Sequence, residues 1–179
     1  MATNHLFPAP TDLILDRLAS PLGELVLITD EAGHLRALDF PEFEERTHRL
    51  LRRHYNGEVT IRSGRAQRSI RDALDAYFAG RLSSIDAIPC RTGGTPFQRS
   101  VWNALRTISA GQTRSYGRLA AELASPAASR AVGLANGANP ICIVLPCHRV
   151  IGADGSLTGY GGGMERKRWL LSHEGVEPR

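Results

Sequence analysis

The sequence predicts an α+β chain of two domains, a small antiparallel sheet with helices followed by a mainly helical domain containing a helix-turn-helix. Three observations point there. Short apolar runs separated by turn formers fill residues 13–40, a stretch with Pro89, Gly93 and Gly94 but no sustained period interrupts the middle, and closely spaced helix signals follow it. A chain of 179 residues is long enough for two small cores. The expected domains are 1–91, including the linker, and 92–179.

The first domain opens with Leu13 to Leu18, Leu22 to Thr29 and Leu35 to Phe40, divided by Ser20-Pro21 and by Asp30-Glu31-Ala32-Gly33, which reads as a three-stranded antiparallel meander. Phe43 to Tyr55 then places Phe43, Thr47, Leu50, Leu51, His54 and Tyr55 on one helical stripe. A second helix is expected from about Arg68 to Phe78, stopping at Gly80. His34, His48 and His54 read as surface or half-buried histidines, because no cysteine or carboxylate pattern frames them.

In the second domain Thr95-Pro96 is an N-cap with proline at the first helical position, and Phe97, Val101, Trp102, Leu105 and Ile108 share one face. Ser115 caps YGRLAAELA, Ser125-Pro126 ends it, and SRAVGLAN begins another helix. Two short helices joined tightly read either as a helix-turn-helix or as a generic helical pair. The run Ile141 to Leu145 reads as a buried strand leading to Pro146-Cys147-His148-Arg149-Val150.

A composition of 42% hydrophobic and 22% charged residues is that of an ordinary globular chain, and no apolar run approaches the roughly 20 residues of a membrane span. The opening MATNHLFPAPTDLILD has Asp12 and Asp16 and no basic leader, so no signal peptide is expected and the cytoplasm is the expected location. Residues 1–91 hold 12 Lys+Arg against 13 Asp+Glu, and residues 92–179 hold 10 against 5, so the positive excess lies in the second half. Such a half fits a polyanionic partner such as nucleic acid, or a solvated basic face. Cys90, Cys142 and Cys147 match neither a disulfide framework nor paired metal-ligand spacing.

The second helix of the pair is unusual: Ala131, Gly133, Ala135, Gly137 and Ala138 are small, and Arg130 is its only cation. It cannot read base edges with long polar side chains. Small residues serve either close approach of the backbone to a groove or tight packing in the core. Cys147 follows a proline and an apolar run, and a thiol needs activation to attack at neutral pH. Contact between Cys147 and His148 requires the chain to turn, since neighbouring side chains on a strand diverge. Of the downstream acids, Glu174 at the end of the last helix is the chosen partner for His148.

IVLPCHRVIG, preceded by SRAVGLANGANP and followed by GYGGGMERKRWLLSHEG, resembles the O6-alkylguanine-DNA alkyltransferase family of the bacterial type over about Thr95 to Gly175. The resemblance implies a ribonuclease H-like first domain and a helix-turn-helix of winged-helix type in the second. It implies stoichiometric transfer of an alkyl group from O6-alkylguanine in duplex DNA to the protein's own Cys147, with base flipping, and leaves activity on O4-alkylthymine open. His148 would take the thiol proton through a water, Glu174 orient that histidine, and Asn139 brace the surrounding turn. Tyr116 would help rotate the nucleotide out and donate to guanine N3, and Arg130 fill the vacated stack from a helix lying in the minor groove with Gly133. Tyr160 and Gly161 would close over the base, the Val150 carbonyl receive its amino group, and Asn136 face it where some relatives are apolar. The implied partner is double-stranded DNA containing alkylated bases, met by a monomer with cooperativity left open. No cofactor, membrane or metal is expected, since no cysteine precedes Cys90 to build the zinc site of some relatives.

Cys142, near the pocket lip by analogy, reads as a buried structural cysteine in preference to a second reactive thiol, and Cys90 needs no function. Two rival classes are a lesion-binding or regulatory helix-turn-helix protein without transfer activity, and a Cys-His hydrolase.

Overall fold

The structure, a computed structural model, describes residues 12–55 and 59–177. The first 11 residues, read above for a leader, lie outside them apart from their continuation at Asp12. The chain divides into two compact units, Met1–Thr95 and Pro96–Arg179.

In the first unit β1 (Asp12–Ser20), β2 (Gly23–Asp30) and β3 (Leu35–Asp39) form the expected meander. A fourth strand, β4 (Thr60–Ser63), adds alongside β1 in parallel, so the sheet order is β3-β2-β1-β4. Sequence reading missed β4 because four polar or half-exposed residues at a sheet edge carry no apolar alternation. β2 and β3 are buried on both faces over most of their length, which is why they read as continuous apolar runs.

The α1 helix (Glu44–His54) follows a short 3-10 turn at Pro41–Phe43 and packs Leu51 onto Leu13, Val26, Ile28 and Ala37 of the sheet. His54 is buried rather than at the surface. α2 (Arg68–Phe78) buries Ile70, Leu74 and Tyr77. The stretch expected to be a plain linker contains a 3-10 helix, Leu82–Ala87, and a parallel bridge from Cys90 to Leu35, with Leu35 N donating to Pro89 O at 2.8 Å. The backbone polar groups of β3's free edge are thereby partly satisfied.

The second unit is built of α3 (Pro96–Leu105), α4 (Tyr116–Glu122), α5 (Ser129–Gly137) and α6 (Met164–His173), with two-residue strands β5 (Arg114–Ser115) and β6 (Val150–Ile151) paired in parallel. Ser115 caps α4 as expected, its hydroxyl accepting from Arg118 N at 3.2 Å. α3 and α4 both pack on α5, and Trp102 Nε1 donates to Ala135 O at 2.8 Å. Val101, Trp102, Leu105 and Ile108 are all buried.

The expected strand Ile141 to Leu145 is instead a buried turn. Ile143 has φ 68, a left-handed conformation that a strand excludes and a β-branched residue rarely takes. Within the segment Leu145 N donates to Ile141 O and Val144 N to Cys142 O, as the backbone of a turn does. Among the described residues no helix is long and apolar enough to cross a membrane.

Candidate active site

Asn139 clamps both ends of that turn. Its Nδ2 donates to Leu145 O at 2.8 Å and its Oδ1 accepts from Ile141 N at 2.9 Å, with the side chain buried. The turn delivers the chain to Pro146, after which Cys147–Arg149 forms one 3-10 turn. The chain therefore turns at Cys147 and His148 rather than running through them as a strand. Cys147, 3% exposed, lies in the wall of a cavity of about 520 Å³. His148 points away from solvent altogether, 0% exposed.

Behind the cysteine, His148 Nε2 lies 2.9 Å from Glu174 Oε1. Arg149 grips the same carboxylate in a fork, Nε to Oε2 and Nη2 to Oε1, both 2.8 Å, and its Nη1 donates to Ile108 O. All three side chains are buried. Burial alone would raise the Glu174 carboxyl, but the hydrogen bonds from His148 and Arg149 outweigh it and hold the group well below the usual carboxylate range. Burial pushes the His148 imidazole down, against the pull of Glu174 and assisted by the charges of Arg149 and Lys167.

The charge pattern that follows is ionised Glu174 against permanently charged Arg149, with neutral His148. An ionised carboxylate only accepts, so Nε2 carries the histidine's hydrogen and Nδ1 is the basic nitrogen. Nδ1 has no hydrogen-bond partner among the described residues. A proton acceptor is thus built directly beside a cysteine in sequence and held in one tautomer.

Lys167, wholly buried on α6, is a member of the site that sequence reading missed. Its Nζ donates to Val150 O at 2.6 Å and to Thr158 O at 2.9 Å, pinning β6 to the loop that precedes α6. Burial pushes this ammonium down to about 8, while attraction to Cys147 acts the other way. Arg149 was also missed. Both lie among solvated-looking basic residues in RVIG and MERKRW, and no sequence signal separates a buried cation from an exposed one there.

The cavity itself is walled by Tyr116 at the start of α4, by Gly133 and Asn136 of α5, and by Tyr160 and Gly161 of the loop, with Cys147 between them. Asn136 Nδ2 donates to Cys147 O at 3.3 Å, fixing the turn from the helix side. The phenol oxygen of Tyr116 is 3.1 Å from Thr158 Oγ1. A Cβ on Gly133 would sit 3.7 Å from the Tyr116 ring, so the glycine faces that ring directly. Val150 is not among the lining residues, and its carbonyl already accepts from Lys167.

At the cavity's mouth Arg130 is exposed. On α5 the two readings of the small residues divide by face: Ala135 is buried under Trp102, whereas Ala131 and Gly137 are exposed. Among the described residues no three His, Cys, Asp or Glu side chains group to hold a metal ion.

Two family models match this chain. "6-O-methylguanine DNA methyltransferase, ribonuclease-like domain" covers residues 15–92, and "6-O-methylguanine DNA methyltransferase, DNA binding domain" covers residues 96–176. The chain is 54% identical over 164 residues to a methylated-DNA–protein-cysteine methyltransferase of Shigella flexneri, covering 91% of this chain and 96% of that protein. Its counterpart in Mycobacterium bovis is 50% identical over 155 residues, 87% and 88% of the two chains. The crystal structure of Mycobacterium tuberculosis O6-methylguanine methyltransferase superposes with a TM-score of 0.74 at 45% identity, covering 90% of this chain and 92% of that one. A structure of the M. tuberculosis protein in complex with DNA gives 0.74 at 43% identity, covering 90% and 93%.

Proposed function

This chain belongs to the 6-O-methylguanine DNA methyltransferase family, and we propose that it repairs alkylated DNA by moving the alkyl group from guanine O6 onto its own Cys147. The observation that carries this reading is a cysteine in a cavity wall with a buried His148–Glu174–Arg149 relay behind it.

The damaged nucleotide is extruded from the duplex into the cavity, at a cost of about a few kcal/mol of lost stacking. Arg130 fills the gap, and the exposed small residues Ala131 and Gly137 let α5 approach the minor groove, with α4 and α5 acting as the helix-turn-helix pair. The thiol proton passes through a water to His148 Nδ1. The sulfur attacks the alkyl carbon, a C–S bond forms, and the C–O6 bond breaks with its electron pair going to the guanine.

Charge on the departing guanine is met by Tyr116 O–H at N3 and by the Gly161 N–H at O6, and the proton held by His148 returns to the base. Tyr160 closes over the base, Asn136 and the second lone pair of the Val150 carbonyl face its edge, and Asn139 holds the turn that aims the sulfur. S-alkylcysteine is a thioether with no easy leaving route, so each molecule reacts once, as a monomer on its DNA. The reading is tested by titrating the protein with excess duplex containing O6-methylguanine. One lesion consumed per protein supports it, and continued turnover would point to a hydrolase.

A further inference from the structure

Leu134 is 73% exposed, and among the described residues it is the large hydrophobic side chain left in solvent. A single exposed leucine needs no explanation by itself. Its position does. α5 is anchored through Val132, Ala135 and Asn136, so the packing of the helix has no use for Leu134. It stands one turn beyond Arg130, at the spacing that puts two side chains on the same helical face. The two residues border both the cavity that holds Cys147 and a shallow groove running along Ala127, Ala128 and Ala131. Around them the outward face is made of Ala131 and Gly137, too short to reach into anything.

Resting on the repair reading above, we propose that Leu134 is an apolar wedge that enters the minor groove beside Arg130. Its methyl groups pack on the deoxyribose and base edges flanking the extruded nucleotide and hold the gap open while the base occupies the cavity. The division of labour follows from chemistry. Arg130 supplies the charge that a polyanion attracts, while the sugar walls and base edges of an opened groove offer C–H surface that only an apolar side chain complements. A wedge of this kind acts on extrusion and leaves the alkyl-transfer step alone. Its removal therefore affects a substrate that must be unstacked and spares one that need not be.

The experiment compares single-turnover alkylation of Cys147 in the wild type, Leu134→Ala and Leu134→Met with three substrates: O6-methylguanine in a paired duplex, the same lesion in a single strand, and free O6-benzylguanine. Leu134→Ala is expected to be about tenfold slower on the duplex, less affected on the single strand, and within about twofold of wild type on the free base. Leu134→Met should restore the duplex rate. A duplex rate equal to or above wild type would overturn the proposal, the leucine then being neutral or an obstruction. Equal loss on duplex and free base would overturn it too, by assigning the side chain to the pocket or the fold. If Leu134→Ala melts below wild type, Leu134→Gln, which keeps the length and the helix propensity, provides the same comparison. Wild-type protein that takes no alkyl group from any of the three substrates would sink the repair reading itself.

Discussion

His148 and Glu174, 26 positions apart in sequence, meet at 2.9 Å with both side chains fully buried. The contact fixes which nitrogen of the imidazole is free, and so which one can take a proton. Glu174→Gln keeps the volume and a hydrogen-bonding oxygen but removes the charge. Transfer should slow by about 10- to 100-fold while affinity for DNA is retained, measured by single-turnover kinetics and by mobility shift. Glu174→Ala leaves Arg149 buried without its carboxylate and should cost about 3–5 kcal/mol in chemical denaturation.

The same pair makes the fold acid-sensitive. His148 has a folded pKa below its unfolded value of about 6.5, so the unfolded chain binds the extra proton and stability falls as pH drops below that point. The Glu174 carboxyl is depressed in the fold, so its contribution is present above about pH 4.3 and is lost as pH falls further through the folded value. Denaturation midpoints should decline from about pH 6.5 downward. His148→Asn should flatten the upper part of that decline and leave the lower part in place.

Lys167 carries the same sign into the alkaline range. With a folded pKa of about 8 against 10.5 unfolded, the unfolded chain holds more protons between those values, and stability should rise with pH across that window. Activity should move the other way, because the ammonium that attracts Cys147 is lost as pH climbs through about 8. Lys167→Met should be slower at neutral pH and should lack both trends. Melting temperature and transfer rate followed from pH 7 to 10 separate the two effects.

Arg130 is exposed at the mouth of the cavity and does not contribute to the buried core of α5. Arg130→Ala should weaken DNA binding and slow reaction with a lesion in duplex more than reaction with free benzylated guanine. Equal loss on the two substrates would indicate a folding defect.

Asn139 makes two buried hydrogen bonds to the backbone of the turn it spans. Asn139→Ala should destabilise the protein by about 2–3 kcal/mol and slow transfer further than that loss explains, since Cys147 is aimed by the same turn. Urea denaturation and transfer kinetics on the folded fraction check both parts.

Much of the fold is legible where local chemistry decides it. The Ser115 cap, the breaks at Pro126 and Gly80, and the meander's turns are read from side chains acting on their own backbone. Ile141 to Leu145 shows where this stops: an apolar run says that a segment is buried, and only the clamp from Asn139 makes it a turn with Ile143 left-handed. The resemblance supplied Cys147, His148 and Glu174 as a set, and the structure brings the last two into contact. It said nothing of Arg149 or Lys167, because a cation's burial depends on distant partners, Glu174 for one and the carbonyls of Val150 and Thr158 for the other. The Val150 carbonyl, given a ligand role by the resemblance, accepts from Lys167 and keeps one lone pair for that role.

The most direct test is the intact mass of the protein before and after incubation with a duplex carrying one O6-methylguanine, beside Cys147→Ala. The account predicts a single gain of about 14 mass units, the formula difference for methylating a thiol, mapped to Cys147 and absent from the variant. An unchanged mass with lesion binding retained would contradict it, and would leave a DNA-binding protein whose buried cysteine and relay serve something other than transfer.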